Sequence, residues 1–254
     1  MNQLYVLIIK KKPLTIILFI SVLILLALII WVKTDYFEEV INYRYDDSVV
    51  VRSGSEREKL IALTFDDGPH PRFTPEILDI LYEYNAKATF FVLGKHVKLY
   101  PEVLQRLIDE GHEVGNHTFT HIDVTKSSYG KISKELDDTD NIIYSVIGVK
   151  PNIFRPPFGF LNNNTLHIVK ERGHRIVLWT ANQDPRDWNS PTADSIANHI
   201  IRNVGNGNII LLHDYVPEKN SQTVEALKII IPELIKEGYR FVTISELLEM
   251  SDLR

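Results

Sequence analysis

From residue 60 onward, short apolar runs alternate with stretches whose apolar positions recur at helical spacing. Strands are expected near residues 60–65, 88–93, 112–115, 152–154, 175–181, 208–212 and 240–243. Between the first two, "TPEILDILYEYN" offers Thr74 as an N-cap, Pro75 at the first helical position, and Ile77, Leu78, Leu81 and Tyr82 along one face. The segments "PEVLQRLIDEG", "KISKELDDTDNIIYSVIG", "NNTLHIVKERG" and "TVEALKIIIPELIKEG" keep the same period, and each closes on a glycine: Gly111, Gly148, Gly173 and Gly238. Seven β/α units in succession predict a parallel sheet with helices outside it, and that many units suffice to close a barrel.

The pattern is different before residue 60. Residues 14–32, "LTIILFISVLILLALIIWV", are uncharged and apolar all round, and nineteen residues in helix reach about 28 Å, close to the ~30 Å of a hydrocarbon core. This predicts a membrane span. The following "WVKTDYFEEV" has no small-residue cleavage pattern, so the span is expected to stay as an uncleaved anchor. Lys10, Lys11 and Lys12 precede it and an acidic flank follows, which places the N-terminus in the cytoplasm and everything after Lys33 outside, with Trp31 and Tyr36 at the interfaces. The expected organisation is a basic cytoplasmic tail (residues 1–13), a single-pass anchor (14–32), a polar stem (33–58) and one folded domain (59–254). The formal net charge of -5, with no long basic run beyond the N-terminus, gives nucleic acid no electrostatic footprint. The absence of cysteine excludes disulfides and thiolate metal sites, so any metal must be held by His, Asp, Glu or carbonyl oxygen.

The chemistry-bearing residues fall after the strands. Asp66 and Asp67 follow the first, "NHTFTH" with His117 and His121 the third, "FRPPFG" with Arg155 the fourth, "DPRDW" the fifth, and His213 with Asp214 the sixth. In a β/α barrel those C-terminal ends share one rim, where active sites form. Each cluster has a plain alternative. "DDGP" is good turn chemistry; two histidines four apart are often not ligands; Arg155 is consistent with a surface residue, His213 with a packed core residue and Trp188 with core filler. A third ligand changes the balance, because His117, His121 and one carboxylate of the Asp pair form a set suited to Zn²⁺. His70, His96, His112, His167, His174 and His199 share no pattern and read as surface or packing residues.

In order, "TFDDGP", "HTFTH", "RPPFG", "DPRDW" and "LLHD" resemble the five motifs of the polysaccharide deacetylases, the NodB-homology domain of carbohydrate esterase family 4. The resemblance covers about residues 59–250. It implies a distorted (β/α)7 barrel and metal-dependent removal of acetyl groups from N-acetylated sugars, with one divalent ion, Zn²⁺ or alternatively Co²⁺. Carried over by position, Asp66 resembles the catalytic base, Asp67, His117 and His121 the metal ligands, Arg155 the residue holding the base, and His213 the catalytic acid. Asp187 resembles the residue tuning that acid. Phe158, Trp188 and Pro157 correspond to the substrate-binding positions, Phe158 through a backbone N–H toward the oxyanion. The third motif often has Tyr where this chain has Phe158, and "DPRDW" carries a second acid, Asp184. The expected substrate is an N-acetylglucosamine-type residue of a cell-envelope polysaccharide, peptidoglycan first. Deacetylases of chitin oligomers, xylan or an exported polysaccharide share all five motifs; an inactive carbohydrate-binding homologue would lack a base, acid or ligand, and none is missing here.

Overall fold

In the computed structural model, which describes Ile24, residues 49–215 and residues 221–252, strands and helices alternate along the chain. The order is β1 (Val50–Val51), β2 (Leu60–Asp66), α1 (Phe73–Glu83), β3 (Ala88–Val92), α2 (Gly94–Leu99), α3 (Pro101–Asp109), β4 (Glu113–Asn116), α4 (Tyr129–Ile147) and β5 (Ile153–Phe154). It continues with α5 (Asn163–Glu171), β6 (Arg175–Val177), α6 (Ala193–Asn203), β7 (Ile209–His213), α7 (Gln222–Lys236), β8 (Arg240–Phe241) and α8 (Ile244–Asp252). The expected span 14–32 and its flanks lie outside the described residues, Ile24 apart. Among the described residues no helix is long and apolar enough to cross a membrane.

Every strand pair is parallel, in the order β1-β6-β5-β4-β3-β2-β7, with β8 pairing beside β2. The sheet curls without closing by continuous pairing, which corrects the expected seven-stranded barrel. Where a strand over 175–181 was expected, β6 stops at Val177. There the Arg155 side chain takes the carbonyls of Val177 and Leu178, so these groups leave the ladder. The gap to β7 is spanned by the Thr180 N–H donating to the Ile209 carbonyl at 3.0 Å and the Leu211 N–H donating to the Gln183 carbonyl at 2.9 Å.

The other correction concerns the stem. Val50 and Val51 are buried, and they pair with Ile176 and Val177 on β6. β1 lies within the expected stem 33–58, so among the described residues the sheet includes a strand before the expected boundary at 59. The valines at 49–51 stand between polar and charged stretches that read as a linker, which is why β1 escapes a pattern reading.

Alternation along β2 separates two faces. Ile61, Leu63 and Phe65 pack in the large core together with Ile77, Leu78 and Leu81 of α1 and Leu227, Ile230 and Ile231 of α7. Leu60 and Ala62 face the interior with Phe91, Ile153, Val177 and Ile209, where Ile244 and Leu247 of α8 join them. Helix α1 starts at Phe73 without a side-chain cap, and Thr74, expected as the cap, instead donates to Asp214. Tyr82 is exposed, and Ile80 takes its place in the core.

Candidate active site

Beyond Leu60 and Ala62, the inward positions of β2 become Thr64 and Asp66, so the interior turns polar at its C-terminal end. Asp66 stands in register with Phe91 on β3 and His213 on β7. Arg155 Nη1 donates to Asp66 Oδ1 at 2.8 Å and to Thr64 Oγ1 at 2.7 Å, and its guanidinium lies 4.1 Å over the Phe91 ring. Both charged residues are buried, which such a pair tolerates because each satisfies the other. Burial raises the Asp66 pKa above its ordinary value; the charges of Arg155 and His213 oppose this without cancelling it.

In a continued strand Asp67 would face away from Asp66. Its φ of 77° ends the strand instead, and both carboxylates come to the same imidazole: His117 Nε2 lies 3.7 Å from Asp66 Oδ2 and 3.6 Å from Asp67 Oδ1. His121 Nε2 is 3.3 Å from Asp67 Oδ1. One ligand atom from each of Asp67, His117 and His121 lies within 4.8 Å of the other two. The His117 Nδ1–H donates to the Arg155 carbonyl at 2.7 Å, which leaves the Nε2 lone pair facing the carboxylates. Burial, partly offset by Asp67, lowers the His117 pKa to about 3, so the ring is neutral. Asp67 Oδ1 is buried with no hydrogen-bond partner. An orphaned anionic oxygen between two imidazole nitrogens fits a divalent cation.

The opposite wall carries His213. Asp187 Oδ1 accepts its Nδ1–H at 2.7 Å, while Asp187 Oδ2 accepts the His213 backbone N–H at 2.8 Å and the Thr223 hydroxyl at 2.7 Å. Burial pushes the His213 pKa down, but Asp187, with the charges of Asp66 and Asp67, outweighs it and the net result is a rise to about 9. The second acid of "DPRDW", Asp184, instead accepts the Arg186 N–H at 2.8 Å. A cavity of about 410 Å³ joins these walls, lined by Asp66, Asp67, His117, His121, Asp184 and His213, with Phe158, Trp179, Trp188 and Leu211 as its apolar surface. Phe158 and Trp188 are each 55% exposed, so they are rim rather than core. Phe158 has a φ of 62°, and its ring stands edge-on to His121 at 4.7 Å. Arg155, Asp187 and Pro157 are buried, and none of the three lines the cavity.

The model of the polysaccharide deacetylase family matches residues 53–177. A peptidoglycan-N-acetylglucosamine deacetylase of Bacillus cereus is 47% identical over 191 residues, which cover 75% of this chain and 89% of that protein. The chain belongs to the polysaccharide deacetylases. The crystal structure of a peptidoglycan N-acetylglucosamine deacetylase, in complex with a substituted N-oxidanyl-benzamide, matches this deacetylase with a TM-score of 0.78 at 35% identity, over 84% of this chain and 99% of that one. A family 4 acetyl xylan esterase from Clostridium thermocellum, in complex with a cobalt ion, matches with a TM-score of 0.70 at 39% identity, over 76% and 91%. Members of this family are hydrolases that act on N-acetyl amides, with metal dependence typical of them.

Two supporting residues of the deacetylase site had no role assigned from the sequence. His96, taken for a packing residue, donates its Nδ1–H to the Asp67 carbonyl at 2.7 Å and stacks on Tyr215 at 4.1 Å. Asp214 accepts the Thr74 hydroxyl at 2.5 Å beneath the Asp pair, and a Cβ at Gly68 would overlap its carboxylate. Burial raises the Asp214 pKa to about 7. His96 carries no sequence signal, whereas Asp214 stands beside His213 and its neighbourhood was the clue.

Proposed function

We propose that this deacetylase removes the N-acetyl group from N-acetylglucosamine units of peptidoglycan, outside the cell, on an uncleaved N-terminal anchor. The hydrolytic part of this reading is carried by one observation: Asp66 held by Arg155 and His213 held by Asp187 share a cavity with the Asp67, His117 and His121 donor set. A divalent ion bound there, Zn²⁺ by the donor types and Co²⁺ as the alternative, supplies Lewis-acid polarisation of the acetamide carbonyl and of water.

The chain's own groups do the rest. Asp66, with its basicity raised by burial, takes the proton of the attacking water. Arg155 fixes that carboxylate and so its direction of attack. The Phe158 N–H stabilises the developing oxyanion, a contribution of about 3 kcal/mol for such a donor. His213, protonated on both nitrogens, delivers its Nε2 proton to the departing amine, which would otherwise leave as an anion. Trp188 and Phe158 give exposed aromatic faces to the sugar.

The glycan preference rests on the peptidoglycan deacetylases among the relatives, and the likeness to an acetyl xylan esterase makes xylan the competing substrate. Acetate release and mass spectrometry over purified peptidoglycan fragments, chitin oligomers and acetylated xylan decide between them. Deacetylation of N-acetylglucosamine in peptidoglycan at the highest kcat/KM is expected, and a higher value on xylan would overturn the substrate assignment.

A further inference from the structure

The loop bearing both histidine ligands, residues 117–121, is built from residues that resist its shape. Thr118 and His121 have φ of 69° and 62°, left-handed values that non-glycine residues hold only when their surroundings impose them. What imposes them follows from the loop's backbone N–H groups. The His117 N–H donates to the Val92 carbonyl at 3.0 Å, that of Thr118 to Asn116 Oδ1 at 2.8 Å, and that of His121 to Thr118 Oγ1 at 3.0 Å. The remaining two, Phe119 and Thr120, both donate to a single oxygen, Glu135 Oε2 on α4, at 2.9 and 2.7 Å, and the Thr120 hydroxyl donates to Glu135 Oε1 at 2.8 Å. On the other side, the carbonyls of Thr118 and Phe119 accept from Gly94 and Lys95 at the start of α2, both at 3.1 Å. Among these contacts Glu135 is the one side chain that reaches the loop N–H groups from another helix, and it fixes two of the three residues between the ligands.

We propose that Glu135 is the positioning residue of the metal site, holding the loop so that His117 Nε2 and His121 Nε2 converge on Asp67. The contacts are charge-assisted and bridge two consecutive amides, so they oppose the rotation that would carry His121 away from Asp67. Glu135 itself does not line the cavity and touches no reacting atom. The proposal rests on the reading of Asp67, His117 and His121 as a metal site.

The test uses the full chain, purified in detergent and stripped of metal, titrated with Zn²⁺ by calorimetry and with Co²⁺ by its visible absorption. Glu135→Ala is expected to weaken Zn²⁺ binding by about 10- to 100-fold, the usual effect of losing an outer-shell partner, and to change the Co²⁺ band positions. Glu135→Gln, which keeps an acceptor oxygen for the two amides, is expected to restore most of the affinity. Asp138→Ala, which removes an exposed partner of Lys134 on the same helix, is expected to bind as wild type. Wild-type affinity and spectrum in Glu135→Ala would overturn the proposal, as would equal loss in the Ala and Gln variants. Should Glu135→Ala not fold, hydrogen exchange in the metal-free wild type carries the test: the Phe119 and Thr120 amides are expected to be protected, and free exchange at both would overturn it. His117→Ala separates the two ideas. If it binds Zn²⁺ as wild type, the metal-site reading fails; if it loses the metal while Glu135→Ala keeps it, only the Glu135 proposal fails.

Discussion

Asp66 and Asp67 are neighbours in the chain, yet one backbone torsion gives them different surroundings. Asp66 remains on the strand, buried against Arg155; Asp67, at a φ of 77°, presents an unpartnered oxygen to two imidazoles. The expected outcome of Asp66→Asn is therefore full metal content with turnover lowered by about 10²-fold or more, since the amide oxygen still accepts from Arg155 but cannot take a proton. Asp67→Ala should lose metal and turnover together. Metal analysis beside acetate release on the same preparations separates the two, and an Asp66→Asn protein with wild-type turnover would remove the base assignment. The partnership of His213 and Asp187 makes a pH prediction. His213 acts as an acid only while protonated, and Asp187 holds its pKa up at about 9, so activity should be retained below that value and fall as the pH rises through it. In Asp187→Asn the largest of the charges that raise the pKa is gone, while burial, which lowers it, remains. The alkaline limb of the kcat/KM profile should then move to lower pH, and an unmoved limb would detach His213 from that limb.

At the scale of elements, β1 shows what a pattern reading can and cannot reach. The strands β2 to β8 fall on or beside apolar runs, and α1, α3, α4, α5 and α7 announce themselves by apolar period and by helix-ending glycines such as Gly148, which has a φ of 73°, whereas α2, α6 and α8 were not expected. The strand-end clusters made the rim of the site legible in the same way, because each motif follows an apolar run. What stayed hidden depends on contacts between distant residues: the two-residue β1, the end of β6 set by Arg155, and the His96 and Glu135 contacts to the loops that carry the metal ligands. A truncation beginning at residue 59 would remove β1 and uncover the edge of β6. Burying one such side chain contributes about 1.5–3 kcal/mol, so losing Val50 and Val51 should lower Tm by several degrees relative to a chain beginning at residue 46. Scanning calorimetry of the two truncations checks this, and equal Tm values would show that β1 adds nothing to the fold.

For the whole molecule, the proposed anchor restricts where the chemistry can happen. Between the expected span ending at residue 32 and β1, which starts at Val50, lie 17 residues, which even fully extended span no more than about 60 Å. A catalytic domain on so short a tether would meet only glycan strands close to the membrane surface, which fits a substrate that the cell assembles there. In the proposed topology the lysines at 10–12 stay on the cytoplasmic side and the domain lies outside. Protease added to intact spheroplasts should then digest the catalytic domain while a cytoplasmic marker survives, and protection of the domain would reverse the topology. Anchoring and catalysis should also separate. A chain lacking residues 1–33 should deacetylate soluble N-acetylated oligomers at the full-length rate, because the site is built within residues 46–254. When produced in cells with its export maintained by a cleavable signal, the same chain should leave less deacetylated glycan in the membrane-proximal wall and release enzyme to the medium. Equal wall deacetylation by anchored and released forms would mean that the tether does not select the substrate, and the proposed reason for its short reach would be lost.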